Sequence, residues 1–149
     1  MSEDCVFCRM AQNPDLPHLV YADAVTMAFM DLRQFHPGHT LVMPRRHYQD
    51  VRELDYATGA ALMAMVSMVT RAVGEAFPSE GISLWHSIGP AAHQEVPHLH
   101  IHVHPRKPDD GLLRVYPSRP DTPDWAVLRQ YAEAVKACLP AMPVRAPEG

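Results

Sequence analysis

The chain has 149 residues, enough for one domain with a substantial buried core. With 47% hydrophobic and 20% charged residues it has the balance of an ordinary globular protein, which argues against a disordered or fibrous chain. A net charge of −4 leaves no basic footprint for a nucleic-acid backbone, although a local pocket can still receive a small anion.

Taken in chain order, the first feature is the acidic start MSEDCVFCRM. It lacks the basic and then apolar pattern of a signal peptide, and no later run reads as a membrane span, so the expected location is the cytoplasm. Cys5 and Cys8 form a C-x-x-C pair. A redox pair of thioredoxin type stands between a strand and a long helix; at the very start of a chain, metal binding is the better reading. Residues 6–13 can form a short helical turn that stops at Asn13-Pro14.

Residues 18–21 and 25–30 read as two strands separated by the turn 22–24. Pro37-Gly38 signals a turn, and residues 39–43 form a third strand that ends at Pro44. From Asp55 to Phe77 the pattern is helical: Leu62, Val66, Val69 and Val73 recur at three- and four-residue steps, with Asp55 as N-cap and Pro78 as stop. This helix suits a core or a subunit interface. Residues 81–88 and 97–105 read as two further strands joined by the loop 89–92. After proline-rich segments, a last helix over 124–139 places Leu128, Tyr131, Val135 and Cys138 on one face, with Cys138 as a small buried hydrophobe. The tail, 141–149, reads as disordered. The expected fold is α+β, a single domain over residues 1–140 with a mainly antiparallel five-stranded sheet, a long helix and a C-terminal helix.

The stretch HQEVPHLHIHVHPR, residues 93–106, carries the chemistry. Strand side chains alternate faces, so His98, His100, His102 and His104 share one face while Leu99, Ile101 and Val103 share the core face. Six of the ten histidines fall between His86 and His104, a clustering that composition alone does not produce. Solvent-facing strand positions would more naturally be Thr, Lys or Glu. Two chemistries fit the row: a metal cage that activates water, or an imidazole nucleophile attacking phosphorus with its neighbours stabilising charge.

Residues Gln94 to Arg106 resemble the signature of the histidine-triad (HIT) family: histidine, apolar, histidine, apolar, histidine, then two apolar residues. The resemblance extends to Cys5-Val6-Phe7-Cys8, Ala28-Phe29-Met30-Asp31, Pro37 to Pro44, Arg46-His47 and the Gly81 to Gly89 segment, in order and at suitable distances. It implies a nucleotide hydrolase or transferase acting at the α-phosphorus of a purine nucleotide, on small conjugates such as adenosine phosphoramidates or dinucleoside polyphosphates. His100 would be the nucleophile of a phosphohistidine intermediate. His102 would serve a phosphoryl oxygen or the leaving group, and His39 would complete the site. Asp31 would clamp ribose hydroxyls, Val6, Phe7, Met30 and Leu32 would wall the base, and Gln94 and Ser87 would face phosphate. Cys5, Cys8, His47 and His98 would hold a structural Zn2+, leaving His98 outside the chemistry, and the protein would be a homodimer.

Four positions depart from the family pattern. Ser83 and Ser87 stand where asparagine is commoner, His93 replaces a glycine, and Glu95 replaces a small hydroxyl residue and would repel a polyphosphate if it points inward. Outside the nucleophile reading stand a zinc-dependent hydrolase using the histidine row directly and a nucleotide-binding regulator with little turnover.

Overall fold

The computed structural model describes residues 4–13, 15–112, 117–118 and 120–140. The tail expected at 141–149 lies outside them. The chain divides into two compact units, residues 1–110 and 111–149.

The first unit is built on one sheet. Helix α1 (Val6–Gln12) precedes strands β1 (Leu19–Ala22), β2 (Thr26–Met30) and β3 (Thr40–Pro44). Helix α2 (Tyr56–Ala76) and strands β4 (Gly81–Trp85) and β5 (Ile101–Arg106) follow. The strand order is β1-β2-β3-β5-β4, with every neighbouring pair antiparallel. The expected α+β class and five-stranded antiparallel sheet are what the chain adopts. In the second unit, α3 (Trp125–Ala137) has no buried residue. Cys138, expected to be buried, is exposed at its C-terminal end.

Both faces of the sheet are covered, which is why β2 and β3 read as continuous apolar runs. On one face Leu62, Met65, Val66, Val69 and Val73 of α2 pack with Ala28, Val42, Leu99 and Val103. On the other, Phe7, Cys8 and Ala11 of α1 pack with Met27, Phe29, Leu41 and Met43. By length and composition α2 passes for a membrane span, but its apolar stripe is spent on the sheet. The Asp55 carboxylate caps it by accepting from Thr58 N–H at 3.0 Å.

The histidine strand is shorter than its alternation suggests. Regular pairing begins at Ile101 because the preceding backbone bonds elsewhere: Leu99 N–H donates to the Tyr48 carbonyl at 2.7 Å, and His98 N–H turns back to Val96 at 2.9 Å. His98 and His100 therefore sit on an irregular lead-in, and His102 and His104 on the strand proper. Likewise β4 ends at Trp85 rather than continuing to Ile88.

Gly38 holds the β2–β3 connection against α2. Its φ is +104°, and a Cβ built there would lie 2.7 Å from the ring of Phe77. Left-handed backbone costs a non-glycine residue about 1–2 kcal/mol before any clash. Gly38→Ala should therefore lower stability by at least about 2 kcal/mol, read from the shift of a urea or thermal midpoint.

Candidate functional site

The sheet register places the aromatic and imidazole groups in rows. Phe29 pairs with Leu41, Leu41 with His102, and His102 with Trp85, so these side chains cross the α1 face of the sheet in line. Trp85 lies parallel on His102, ring centroids 4.3 Å apart and planes 6° from parallel. One row on, His39 sits 4.4 Å from His104. His104, the last of the four histidines on this face, is buried, and its Nδ1 donates to the Pro105 carbonyl at 2.7 Å.

Carbonyl partners decide the tautomers, since a carbonyl can only accept. His100 Nδ1 is 2.6 Å from the His98 carbonyl and so carries the proton, leaving its Nε2 lone pair exposed for other use. His39 Nδ1 donates to the Arg33 carbonyl at 3.1 Å, which makes His39 Nε2 the acceptor for His102 Nδ1–H at 2.8 Å. Asp31 Oδ2 lies 3.7 Å from the same His39 nitrogen. One added proton on this pair, shared beside the carboxylate, turns His102 Nε2 from acceptor to donor.

Burial pushes the imidazoles toward the neutral form. It lowers His39, against the Asp31 charge, and lowers His100. Burial and the neighbouring His100 take His102 down to about 3. His104 is lowered mainly by the same cause.

A second cluster lies behind the first. Nδ1 of His98 is 3.5 Å from Cys5 Sγ and 3.6 Å from Cys8 Sγ, and Nδ1 of His47 is 3.3 Å from Cys8 Sγ. His98 Nε2 donates to the Pro44 carbonyl at 2.8 Å, which fixes the tautomer that turns Nδ1 to the thiols. Burial holds His98 near 4, so the ring is neutral. These four residues, among the described ones, form a group able to hold a metal ion. They are the four that the resemblance implied.

Phe7 meets the His100 ring edge-on at 5.1 Å. Asp31 follows β2 and accepts from Arg33 N–H at 2.8 Å. Met30 and Ser87 are half-buried, Val6 is partly exposed, and Leu32 is 84% exposed. Gln94 ties the 89–94 loop: its Oε1 accepts from Gly89 N–H at 2.9 Å and its Nε2 donates to the Gln49 carbonyl at 3.0 Å. Glu95 is drawn into an ion pair with Arg33.

Sequence reasoning passed over three positioning residues. Gln34 closes the β2–β3 loop, accepting from Gly38 and His39 N–H and donating to the Asp31 and His39 carbonyls. His86 Nδ1 donates to the His100 carbonyl at 3.2 Å, and its Nε2 accepts from Val51 N–H. Trp85 is the stacking partner of His102. Its signal was present, because alternation from Ser83 sets Trp85 on the same face as the histidines once the register is known.

The family model described as the HIT domain matches residues 13–109. The adenosine 5'-monophosphoramidase of Schizosaccharomyces pombe is 33% identical over 122 residues, covering 80% of this chain and 88% of that protein. An adenylylsulfatase of Arabidopsis thaliana is 31% identical over 112 residues, 75% of this chain and 57% of the plant protein. Among solved structures, that of a Bacillus subtilis HIT family protein superposes with a TM-score of 0.85 at 30% identity, covering 94% of this chain and all of that one.

Neutral buried imidazoles make stability pH-dependent. The unfolded chain protonates its histidines from about pH 6.5 downward, while the folded chain resists, at His102 to about pH 3. Stability is therefore complete above about pH 6.5 and is lost as pH falls, by at most about 1.4 kcal/mol per pH unit for each such group. Thermal melts across pH 7 to 4.5 should show the decline beginning above the carboxylate range; a flat profile down to pH 5 would contradict the neutral row.

Proposed function

The chain belongs to the HIT family, and we propose that it is a nucleotide hydrolase cleaving at the α-phosphorus of small purine nucleotide conjugates, adenosine phosphoramidates first. The observation that carries this reading is the His100 Nδ1–H bond to the His98 carbonyl, which leaves Nε2 aimed as a lone pair on a neutral imidazole. The names of two relatives, a phosphoramidase and an adenylylsulfatase, support the same bond class.

In this reading His100 Nε2 attacks the α-phosphorus and forms a P–N bond as the bond to the leaving group breaks. The His39–His102 pair, neutral in the free chain, takes up one proton beside Asp31 as the anionic substrate binds and gives it through His102 Nε2 to the departing group or to a phosphoryl oxygen. Water then attacks phosphorus, the P–N bond breaks, and the pair is reprotonated from that water. Asp31 Oδ2 clamps the ribose, and Phe7, Val6, Met30 and Leu32 wall the base. Gln94 keeps a second amide N–H for phosphate, and the Ser87 hydroxyl adds a shorter donor where the family more often has an amide.

The Cys5, Cys8, His47 and His98 group suits zinc as a structural ion. A tetrahedral ion with Zn–S of about 2.3 Å and Zn–N of about 2.0 Å sets sulfur and nitrogen about 3.5 Å apart. The three sulfur–nitrogen separations here run from 3.3 to 3.6 Å. Four protein ligands leave no position for water, so the ion would supply stability, and thiolate ligands suit a reducing cytoplasm. The exposed Met63 and Met68 of α2 offer apolar surface for a homodimer.

A second reading draws on Asp31, His39 and His102, which also lie close enough to share a metal. It would compete with the 2.8 Å hydrogen bond that His102 Nδ1–H gives to His39 Nε2, the His39 nitrogen beside Asp31, so the nucleophile reading is preferred. Incubating the protein with adenosine phosphoramidate, with and without chelator, tests both: AMP release should persist until the fold melts. Activity lost while the fold remains would move a metal into the active site. Binding of AMP without turnover would make the protein a nucleotide-binding regulator.

His100→Ala should reduce AMP release at least ~10³-fold, about 4 kcal/mol of barrier, while AMP binding and melting temperature are kept. Residual activity within tenfold of the parent would sink the nucleophile assignment. Cys8→Ser should lose bound zinc, measured by elemental analysis, and lower the melting temperature before it slows turnover measured well below that temperature.

A further inference from the structure

Arg33 and Glu95, 62 residues apart, meet as a two-point ion pair, with Nη1 to Oε1 at 3.1 Å and Nη2 on Oε2. Their side chains are 75% and 62% exposed, so the pair is no core brace. Yet both backbones are fixed to the site. The Arg33 carbonyl holds His39, and its N–H is held by Asp31. Glu95 follows Gln94, whose amide is tied at both ends, and precedes the turn that delivers His98 and His100. The pair thus bridges the two loops that flank the histidines.

We propose that Arg33 and Glu95 form an exchangeable charge clamp that selects what may be attached to the α-phosphorus: Arg33 leaves Glu95 to meet a further anionic group, and Glu95 opposes that group. The inference rests on the reading that a nucleotide binds with its α-phosphorus beside His100. Three features support it. An exposed pair is cheap to open, since such pairs change equilibria by about fivefold or less. A guanidinium grips phosphate with the same two-point geometry it uses on a carboxylate, so the exchange needs no new fold. Glu95 is also near enough to His100 for the two to interact electrostatically, so an anionic group beyond the α-phosphorus would meet its charge, and Asp31 adds a second negative charge near the Arg33 guanidinium. The closed clamp is electrically neutral, which suits a leaving group without negative charge, such as an amine, over a polyphosphate.

Titration calorimetry with AMP and ADP on the full chain tests this in the parent, Glu95→Gln, Arg33→Gln and the double variant. The ADP-over-AMP affinity ratio should rise roughly fivefold in Glu95→Gln and fall roughly fivefold in Arg33→Gln. The double variant should recover from the Arg33→Gln value, because the bare carboxylate is gone. A ratio unchanged within twofold across all four overturns the clamp. A mere loop brace would weaken both nucleotides together and lower the melting temperature, leaving that ratio unmoved. If neither nucleotide binds the parent, the nucleotide reading falls and the clamp with it. If the ratios shift as expected but adenosine phosphoramidate is never cleaved, the clamp stands and the hydrolase reading falls.

Discussion

One hydrogen bond joins the two halves of this site. His98 uses its Nδ1 toward the thiols, its Nε2–H toward Pro44, and its carbonyl toward His100 Nδ1. Whatever holds the His98 ring in place therefore also holds the acceptor that sets the tautomer of His100. Because residues 98–100 have left the strand ladder, no sheet hydrogen bond fixes that carbonyl independently. The Tyr48 carbonyl, which takes Leu99 N–H, and His86, which holds the His100 carbonyl, complete the restraint.

Burying imidazoles on a sheet face is costly unless each ring nitrogen has an assigned task. Here the tasks form a chain of backbone carbonyls and ring nitrogens that begins at Arg33 and passes through His39 to His102. Among the described residues no buried side-chain nitrogen or oxygen lacks a partner. The price of that order is a row of neutral rings. Neutral rings suit attack on an anionic phosphorus centre, because a protonated imidazole has no lone pair to offer.

Much of this is legible in the sequence alone. Periodicity found α2 with its buried Leu62, Val66, Val69 and Val73, because a stripe that must meet a sheet repeats at helical steps. Alternation found the shared histidine face. The gathering of Cys5, Cys8, His47 and His98 followed only from a family resemblance, since nothing local brings His47 to a cysteine 39 residues away. Boundaries failed where long-range backbone bonds compete with the ladder, as at Leu99, which alternation cannot see. Gln34 and His86 were missed for a related reason: each acts through carbonyls and amides supplied by distant segments. Arg33 escaped notice because an exposed arginine in a loop is ordinary until its partner is known.

The two-residue repeat of β5 has a consequence for how this chain can change. Ile101 and Val103 belong to the α2 face, while His102 and His104 belong to the other, and both faces are filled. Deleting or inserting a single residue between Ile101 and His104 would exchange the two sets, driving imidazoles into the aliphatic packing and aliphatics into the polar row. Variation in chain length is thereby barred from this strand, whereas the exposed turn at Lys107–Asp109 carries no such alternation. The spacing of the histidines is protected by the packing of their neighbours' side chains, quite apart from any need for the chemistry itself.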